Sequence, residues 1–321
     1  MTDSSALTAV ILAAGFGTRL RPLSYRVPKP LFPILNRPLL GLILSQLENA
    51  GFSRVAVNTH HLAADIKLYL ETQNQWNLEI FLSFEAKILG TGGGLRHMAD
   101  FLGDSPFLVI NGDILTDLVF AEVYHQHRQD ALATMILHDY PRFNNVWLAE
   151  DGQVAAFGSP PAGPMPKAPL AFTGVQIVSP RIFDLIEPDK YVNIIDTYQQ
   201  AISAGKPVAA AVKHGFYWQD IGTPHDYLEI HRRLLNKQLP GLTAFYPQIT
   251  DPFLGAEVTL GAGSQTAGAV CLGRGVKVGA EVYLKDTVVW ADAVIDPGVR
   301  LEGCVVGERI RMSESAKGGC F

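Results

Sequence analysis

The chain has 321 residues, 48% of them hydrophobic and 18% charged, with a formal net charge of −5. At roughly 100–200 residues per domain, that is room for one large domain and a smaller one, and enough to bury a core without disulfides or structural metal. The acidic balance argues against a nucleic-acid-binding face, the late cysteines Cys271, Cys304 and Cys320 make neither a disulfide framework nor a zinc pattern, and no apolar run approaches the ~20 residues of a membrane span. The polar, acidic start lacks the basic-then-apolar order of a signal peptide, so a reducing cytoplasm is the expected compartment.

Residues 7–13 read as a buried strand that runs into a glycine loop. Residues 38–50 read as a helix, with Asn36 as its cap, Leu39, Leu40, Ile43, Leu44 and Leu47 on one broad face, and Gly51 as its stop. Strands follow at 54–59 and 78–84, around a helix at 63–72. A helix is expected over 92–101 after a triple glycine, then a strand at 107–110 and a helix over 118–129. Asp151-Gly152 marks a hairpin turn between strands 146–149 and 153–157, and the Pro- and Gly-rich stretch 158–169 an exposed loop. Strand 171–178, helices near 181–186 and 192–204, strand 208–213 and a helix over 224–236 complete the series. Strands alternating with helices predict an α/β layer with a mainly parallel sheet, whose ligands sit at the carboxyl ends of the strands.

Beyond a linker at 239–251 the period changes to six. Leu254, Leu260, Thr266, Leu272, Val278, Leu284 and Trp290 form one series, with small residues after most of them, and Val258, Val270, Val276, Val282, Val288 and Val294 form another. Hexads of this kind predict a parallel β-helix. The segment resembles the left-handed hexapeptide β-helix family, which implies triangular coils and assembly into homo-oligomers. The domain expectation is therefore 1–238, a linker at 239–251, and the β-helix at 252–321.

The polar motifs follow predicted strands. Leu12-Ala13-Ala14-Gly15-Phe16-Gly17-Thr18-Arg19 is a loop in which closely spaced glycines let backbone N–H groups converge on a phosphate. It lacks the third glycine of a dinucleotide fingerprint and the Gly-Lys-[Ser/Thr] of an ATPase P-loop. Lys29 sits between Pro28 and Pro30, on a stiff segment that fixes its reach. Asp113, after Asn111-Gly112, ends a strand, and Asp220 precedes a helix; each suits a magnesium ligand and each also suits an ordinary turn or cap. Glu85 and the run Gly90-Thr91-Gly92-Gly93-Gly94 follow another strand, where bare backbone can lie against a base.

Together these residues resemble the sugar-1-phosphate nucleotidylyltransferases. That family carries a glycine loop with Thr-Arg-Leu-x-Pro-Leu and then Pro-Lys-Pro, matched here over 12–33. The resemblance covers 1–236 and implies a Rossmann-like fold, with an NTP and a sugar 1-phosphate as substrates and Mg²⁺ as cofactor. By it, Leu12, Ala13, Ala14, Gly15, Gly17 and Thr18 hold the triphosphate, and Arg19 and Lys29 serve the reacting phosphates. Glu85, Gly90, Thr91 and Gly92 meet the base; Asn111, Thr173, Gly174 and Trp218 line the sugar pocket; and Asp113 and Asp220 hold the metal.

The chain departs from the family in two places. The Glu-Lys-Pro expected after the hairpin is Ser159-Pro160-Pro161, and Phe172 stands where the sugar-pocket asparagine belongs. Lys167 is a candidate replacement for the missing lysine. The competing reading is a regulatory homologue that binds a nucleotide sugar without turnover. The nucleotide and sugar expected are GTP with mannose 1-phosphate or a related sugar, or UTP with N-acetylmuramate 1-phosphate.

Overall fold

The first apolar run becomes strand β1 (Leu7–Leu12) in the computed structural model, which describes residues 6–73, 75–160 and 168–321. Lys167 lies outside the described residues. The chain forms two units that do not follow sequence order. One comprises the described residues of Met1–Gly15, Leu44–Ile114 and Leu118–Trp218; the other comprises Phe16–Ile43, Leu115–Asp117 and Gln219–Phe321.

The first unit is built on a seven-stranded sheet. Its other strands are β2 (Phe52–Thr59), β3 (Glu79–Phe84), β4 (Phe107–Asn111), β5 (Ala133–His138), β6 (Ala171–Val178) and β7 (Val208–Val212). Across the sheet they run β3-β2-β1-β4-β6-β5-β7, all pairs parallel except those of β6, which is antiparallel to both β4 and β5. Val10, Val109, Met135 and Val208 lie in the core built on this sheet. Near-continuous apolar runs such as Phe107–Ile110 fit strands covered on both faces. Chain order reverses between β1 and β4, which makes their carboxyl ends the topological switch point of the sheet. Leu12 is the register partner of both Asn58 on β2 and Asn111 on β4, so these three residues mark one end of the sheet.

Two helices and one helix cap differ from the sequence expectation. The helix after β3 is Gly90–His97, so the triple glycine lies inside its opening turns instead of before them. Close packing explains this: a Cβ on Gly93 would lie 2.3 Å from the Lys190 carbonyl oxygen. The helix expected over 118–129 is only Phe120–Tyr124. Thr134 Oγ1 accepts the Arg128 N–H at 3.1 Å, a bond that competes with continuing the helical ladder. Helix Leu39–Asn49 forms as expected, but Asn36 does not cap it. Asn36 lies in a tight turn between strands Pro33–Ile34 and Arg37–Pro38, and its amide donates to the Leu272 carbonyl at 2.9 Å.

The second unit carries the C-terminal parallel β-helix. Its ladders form three stacks, begun by Phe253–Leu254, Thr259–Leu260 and the start of Gln265–Leu272. Val270, Leu272, Val278, Leu284, Val289, Ile295 and Leu301 fill its core. The six-residue count slips first between Leu284 and Val289 and again further on, where Leu301 pairs with Ala316 only fifteen positions away. Leu254 pairs with Leu272 eighteen positions on, but Leu272 pairs with Val289, seventeen on, because the register shifts between Ala267 and Val270. Trp290 therefore leaves the aliphatic series and takes the position after Val289, which Gly255, Gly273 and Gly307 occupy in the other coils. Segment 239–251 contains a helical turn, Pro240–Thr243, with Leu239, Leu242 and Tyr246 buried.

Candidate active site

In the first unit, the predicted loop residues leave the sheet at the switch point. The Gly112 N–H donates to the Leu12 carbonyl at 2.8 Å, and a Cβ on Gly112 would lie 2.9 Å from that oxygen. Only a residue without a side chain lets the segment carrying Asp113 cross so close to the start of the glycine loop. Ala13 and Ala14 are buried, whereas Gly15 is exposed, and a Cβ placed on it would meet no heavy atom within 4 Å beyond its chain neighbours. Asp113 is half-buried.

Asn58 was not singled out by the sequence reading. Its Oδ1 accepts the Ala13 N–H at 2.7 Å and its Nδ2 donates to Glu85 Oε1 at 2.7 Å. Glu85 Oε2 accepts the Leu89 N–H at 2.8 Å, and the side chain is 1% exposed. The structure thus places Glu85 behind the loop, where it orients Asn58 and the entry to helix Gly90–His97. The run Gly90-Thr91-Gly92 is likewise committed within the protein. Gly92 N–H donates to the Val192 carbonyl at 2.8 Å, and Thr91 Oγ1 accepts the Ile194 N–H at 2.9 Å. Asn193, which caps helix Ile194–Ser203 through its side chain, completes this junction.

The residues expected at the sugar form a second group in the same unit. Gly174 has φ +74°, a conformation that favours glycine, in an irregular stretch of β6. A Cβ there would lie 2.7 Å from Asn111 Nδ2, so the Asn111 side chain crosses directly over Gly174. Thr173 is fully buried, and its hydroxyl donates to the Ile136 carbonyl at 2.8 Å. Its own carbonyl accepts the Trp218 indole N–H at 2.7 Å. Trp218 belongs to an aromatic group that the sequence reading missed: His138 stacks on Tyr140, Tyr140 stacks on Phe143, and Trp218 meets all three rings edge-on. Burial pulls the His138 imidazole below its ordinary value, which keeps it neutral.

The second unit gathers the basic residues. Gly17 opens a 3-10 turn, Thr18–Leu20, and the Ser24 hydroxyl donates to its carbonyl at 2.8 Å. Thr18 and Arg19 are exposed. The Arg19 guanidinium lies 3.6 Å from Asp220 Oδ2, with the arginine side chain 57% exposed and the aspartate 11%. Gly222 lets them meet, because a Cβ there would lie 2.5 Å from Asp220 Oδ2 and 2.9 Å from Arg19 Nη1. Lys29 starts the turn Lys29–Leu31 with its stem buried, and its Cβ lies 3.5 Å from a Cβ built on Gly17. Gly17, Thr18, Arg19, Lys29 and Asp220 thus share one unit, and Leu12–Gly15, Asn111 and Asp113 the other.

Comparison with known proteins identifies the family. A family model described as nucleotidyl transferase matches residues 8–237. UTP–glucose-1-phosphate uridylyltransferase of Synechocystis sp. is 32% identical over 259 residues, covering 74% of this chain and 66% of that protein. N-acetylmuramate alpha-1-phosphate uridylyltransferase of Neisseria meningitidis is 32% identical over 226 residues, covering 68% of this chain and 94% of that protein. Among solved structures, HddC from Yersinia pseudotuberculosis complexed with GMP-PN matches with TM-score 0.61 and 26% identity, over 71% of this chain and 99% of that one.

Proposed function

The chain belongs to the nucleotidyl transferase family, and from that premise we propose that it joins an NTP to a sugar 1-phosphate, releasing pyrophosphate and an NDP-sugar. The observation that carries this reading is the Gly112–Leu12 contact, which brings a strand-end aspartate beside a glycine loop at the switch point of a parallel sheet. A phosphate oxygen of the sugar 1-phosphate attacks the α-phosphorus in line. The bond to the β-phosphate breaks and pyrophosphate leaves with its electron pair. The nucleophile is already anionic, so no general base is required. What remains for the protein is alignment and charge neutralisation.

Arg19 and Lys29 neutralise the phosphates, and the backbone of the glycine loop lies along the triphosphate. Asp113 and Asp220 supply the hard carboxylate oxygens that suit Mg²⁺. An ion of that kind is held by one or two carboxylates together with substrate phosphates; when bound at Asp113 and Asp220 it would supply charge neutralisation. Among the described residues no group of three or more His, Cys, Asp or Glu side chains is assembled for a metal, and this mode of binding needs none.

The substrates proposed are GTP with mannose 1-phosphate or a related sugar, or UTP with N-acetylmuramate 1-phosphate. Relatives named for guanylyl and uridylyl transfer, and the HddC complex with GMP-PN, support that pair. Association through the β-helix is part of the same reading, supported by the exposed Leu254 and Leu260 of its first coil; light scattering measures it. Pyrophosphate release across four NTPs and a set of sugar 1-phosphates, with and without Mg²⁺, tests the activity. Tight NDP-sugar binding with no turnover in any combination refutes catalysis in favour of a sensor.

A further inference from the structure

Trp290 stands in a column that holds glycine in the other coils, and its ring is 3% exposed. Its neighbours in the second unit say what it does there. Trp290 meets Phe32 edge-on, with ring centroids 4.7 Å apart, and its indole N–H donates to the Tyr227 hydroxyl at 3.0 Å. Tyr227 in turn donates to the Pro33 carbonyl and meets Phe32 edge-on at 5.9 Å. The next residues are held just as closely. The Tyr246 hydroxyl donates to the Ile34 carbonyl at 2.7 Å, the Leu35 N–H reaches His231 Nε2 at 3.3 Å, and Asn36 donates to the Leu272 carbonyl at 2.9 Å.

Leu35 has φ +43° and Asn36 φ +66°, a turn that leucine adopts only when its surroundings enforce it. Every residue from Phe32 to Asn36 is therefore gripped by helix Pro224–Leu235, by Tyr246 or by the β-helix. Directly upstream, the Phe32 N–H donates to the Lys29 carbonyl at 3.0 Å, which closes the turn that carries Lys29.

We propose that the β-helix, through Trp290, is a positioning element for Lys29. The indole fixes Phe32 and Tyr227, these fix the hairpin, and the hairpin holds the lysine turn in one place. The proposal rests on the phosphate role assigned to Lys29 above, but its structural half does not depend on that role. The first slip in the hexad count, between Leu284 and Val289, is what puts a large side chain in this position.

The test compares Trp290→Ala and Trp290→Phe with Lys317→Ala, an exposed β-helix change, as control. In native-state hydrogen exchange, Trp290→Ala should speed exchange over residues 29–36 while the strands of the sheet stay protected. Trp290→Phe keeps a ring against Phe32 but loses the donor to Tyr227, so it should give a smaller acceleration in the same segment. In steady-state assays, Trp290→Ala should lower kcat by about 10- to 100-fold, the scale of a misplaced catalytic group. That loss should shrink when Lys29→Arg is already present, because both changes act on one group. Unchanged exchange over 29–36 in the folded variants overturns the proposal, as does a kcat loss that multiplies fully with that of Lys29→Arg. If Trp290→Ala does not fold, Trp290→Phe decides by the same two criteria. Absence of turnover in the wild type would instead overturn the transferase reading, and the exchange result would still judge the clamp.

Discussion

Asn58 and Glu85 share a hydrogen bond of 2.7 Å behind the glycine loop, at the ends of neighbouring strands. The bond decides which way Asn58 faces. With Nδ2 turned to the carboxylate, Oδ1 is left to accept the Ala13 N–H. Asn58→Asp would set a second carboxylate against Glu85 in a buried place and remove the donor between them. It should cost about 2–4 kcal/mol in urea unfolding at pH 7, more than Asn58→Ala, and recover partly on mild acidification as the pair takes up a proton. Equal stability of the two variants at pH 7 would remove this role.

Gly15 and Gly112 should respond in opposite ways to alanine. Around Gly15 there is open space, so Gly15→Ala should leave the melting temperature within about 2 °C of wild type. Its methyl would stand where the triphosphate approaches the backbone, so the KM for the NTP should rise about tenfold or more. Gly112→Ala forces a methyl to 2.9 Å from the Leu12 carbonyl and should cost about 1–3 kcal/mol of stability, read by thermal unfolding.

Lys29→Ala, Asp113→Asn and Asp220→Asn should each reduce pyrophosphate release by at least about 100-fold while circular dichroism stays native. Asp220→Asn also removes the anionic partner of Arg19 at 3.6 Å. That contact is largely solvent-facing on the arginine side, so the expected change in stability is under about 1 kcal/mol. Turnover like that of wild type in any of the three variants withdraws the role given to that residue.

Stability should fall on mild acidification. His231 donates from Nδ1 to the Tyr227 carbonyl and accepts the Leu35 N–H at Nε2, an arrangement available only to the neutral ring. Burial pulls its pKa from 6.5 down to about 4. Below pH 6.5 the unfolded chain takes a proton that the folded protein refuses, so unfolding is linked to proton uptake. The contribution of His231 is complete above pH 6.5 and is lost as pH falls toward 4. Urea unfolding should show about 2 kcal/mol less stability at pH 5 than at pH 7.5 from this group. Burial shifts His127 and His138 in the same direction, and their contributions add to it. His231→Gln should flatten the profile.

Much of this was legible in advance because local signals and tertiary packing agree. The alternation of apolar runs and helices gave the α/β sheet, and the hexads gave the β-helix. The candidate residues at the glycine loop and the strand ends were named from their motifs together with the resemblance to a known family. The misses have one physical character. Asn58 acts through Ala13 and Glu85, and His138 and Tyr140 meet Trp218, all partners far away in sequence, so no local pattern marks them. The glycines of 90–94 read as a bare loop, yet the Lys190 and Val192 carbonyls crowd Gly90, Gly92 and Gly93, and the Glu85 and Asn58 side chains crowd Gly94. Asn36 has the composition of a helix cap, but the Leu272 carbonyl outcompetes the helix for its amide.

The first slip in the β-helix count also limits what can be exchanged. Thr259–Leu260, Lys277–Val278, Val294–Ile295 and Arg311–Met312 form one continuous stack and look interchangeable. They are out of phase with a strict sixfold repeat, however, and only that offset turns an indole toward Phe32. A solenoid grafted from a protein with unbroken hexads could fold well and still lack the key for this lock. Length variation between Leu284 and Val289, where the coil is one residue short, is therefore the place where relatives with the same motifs should diverge in how firmly they hold the lysine turn.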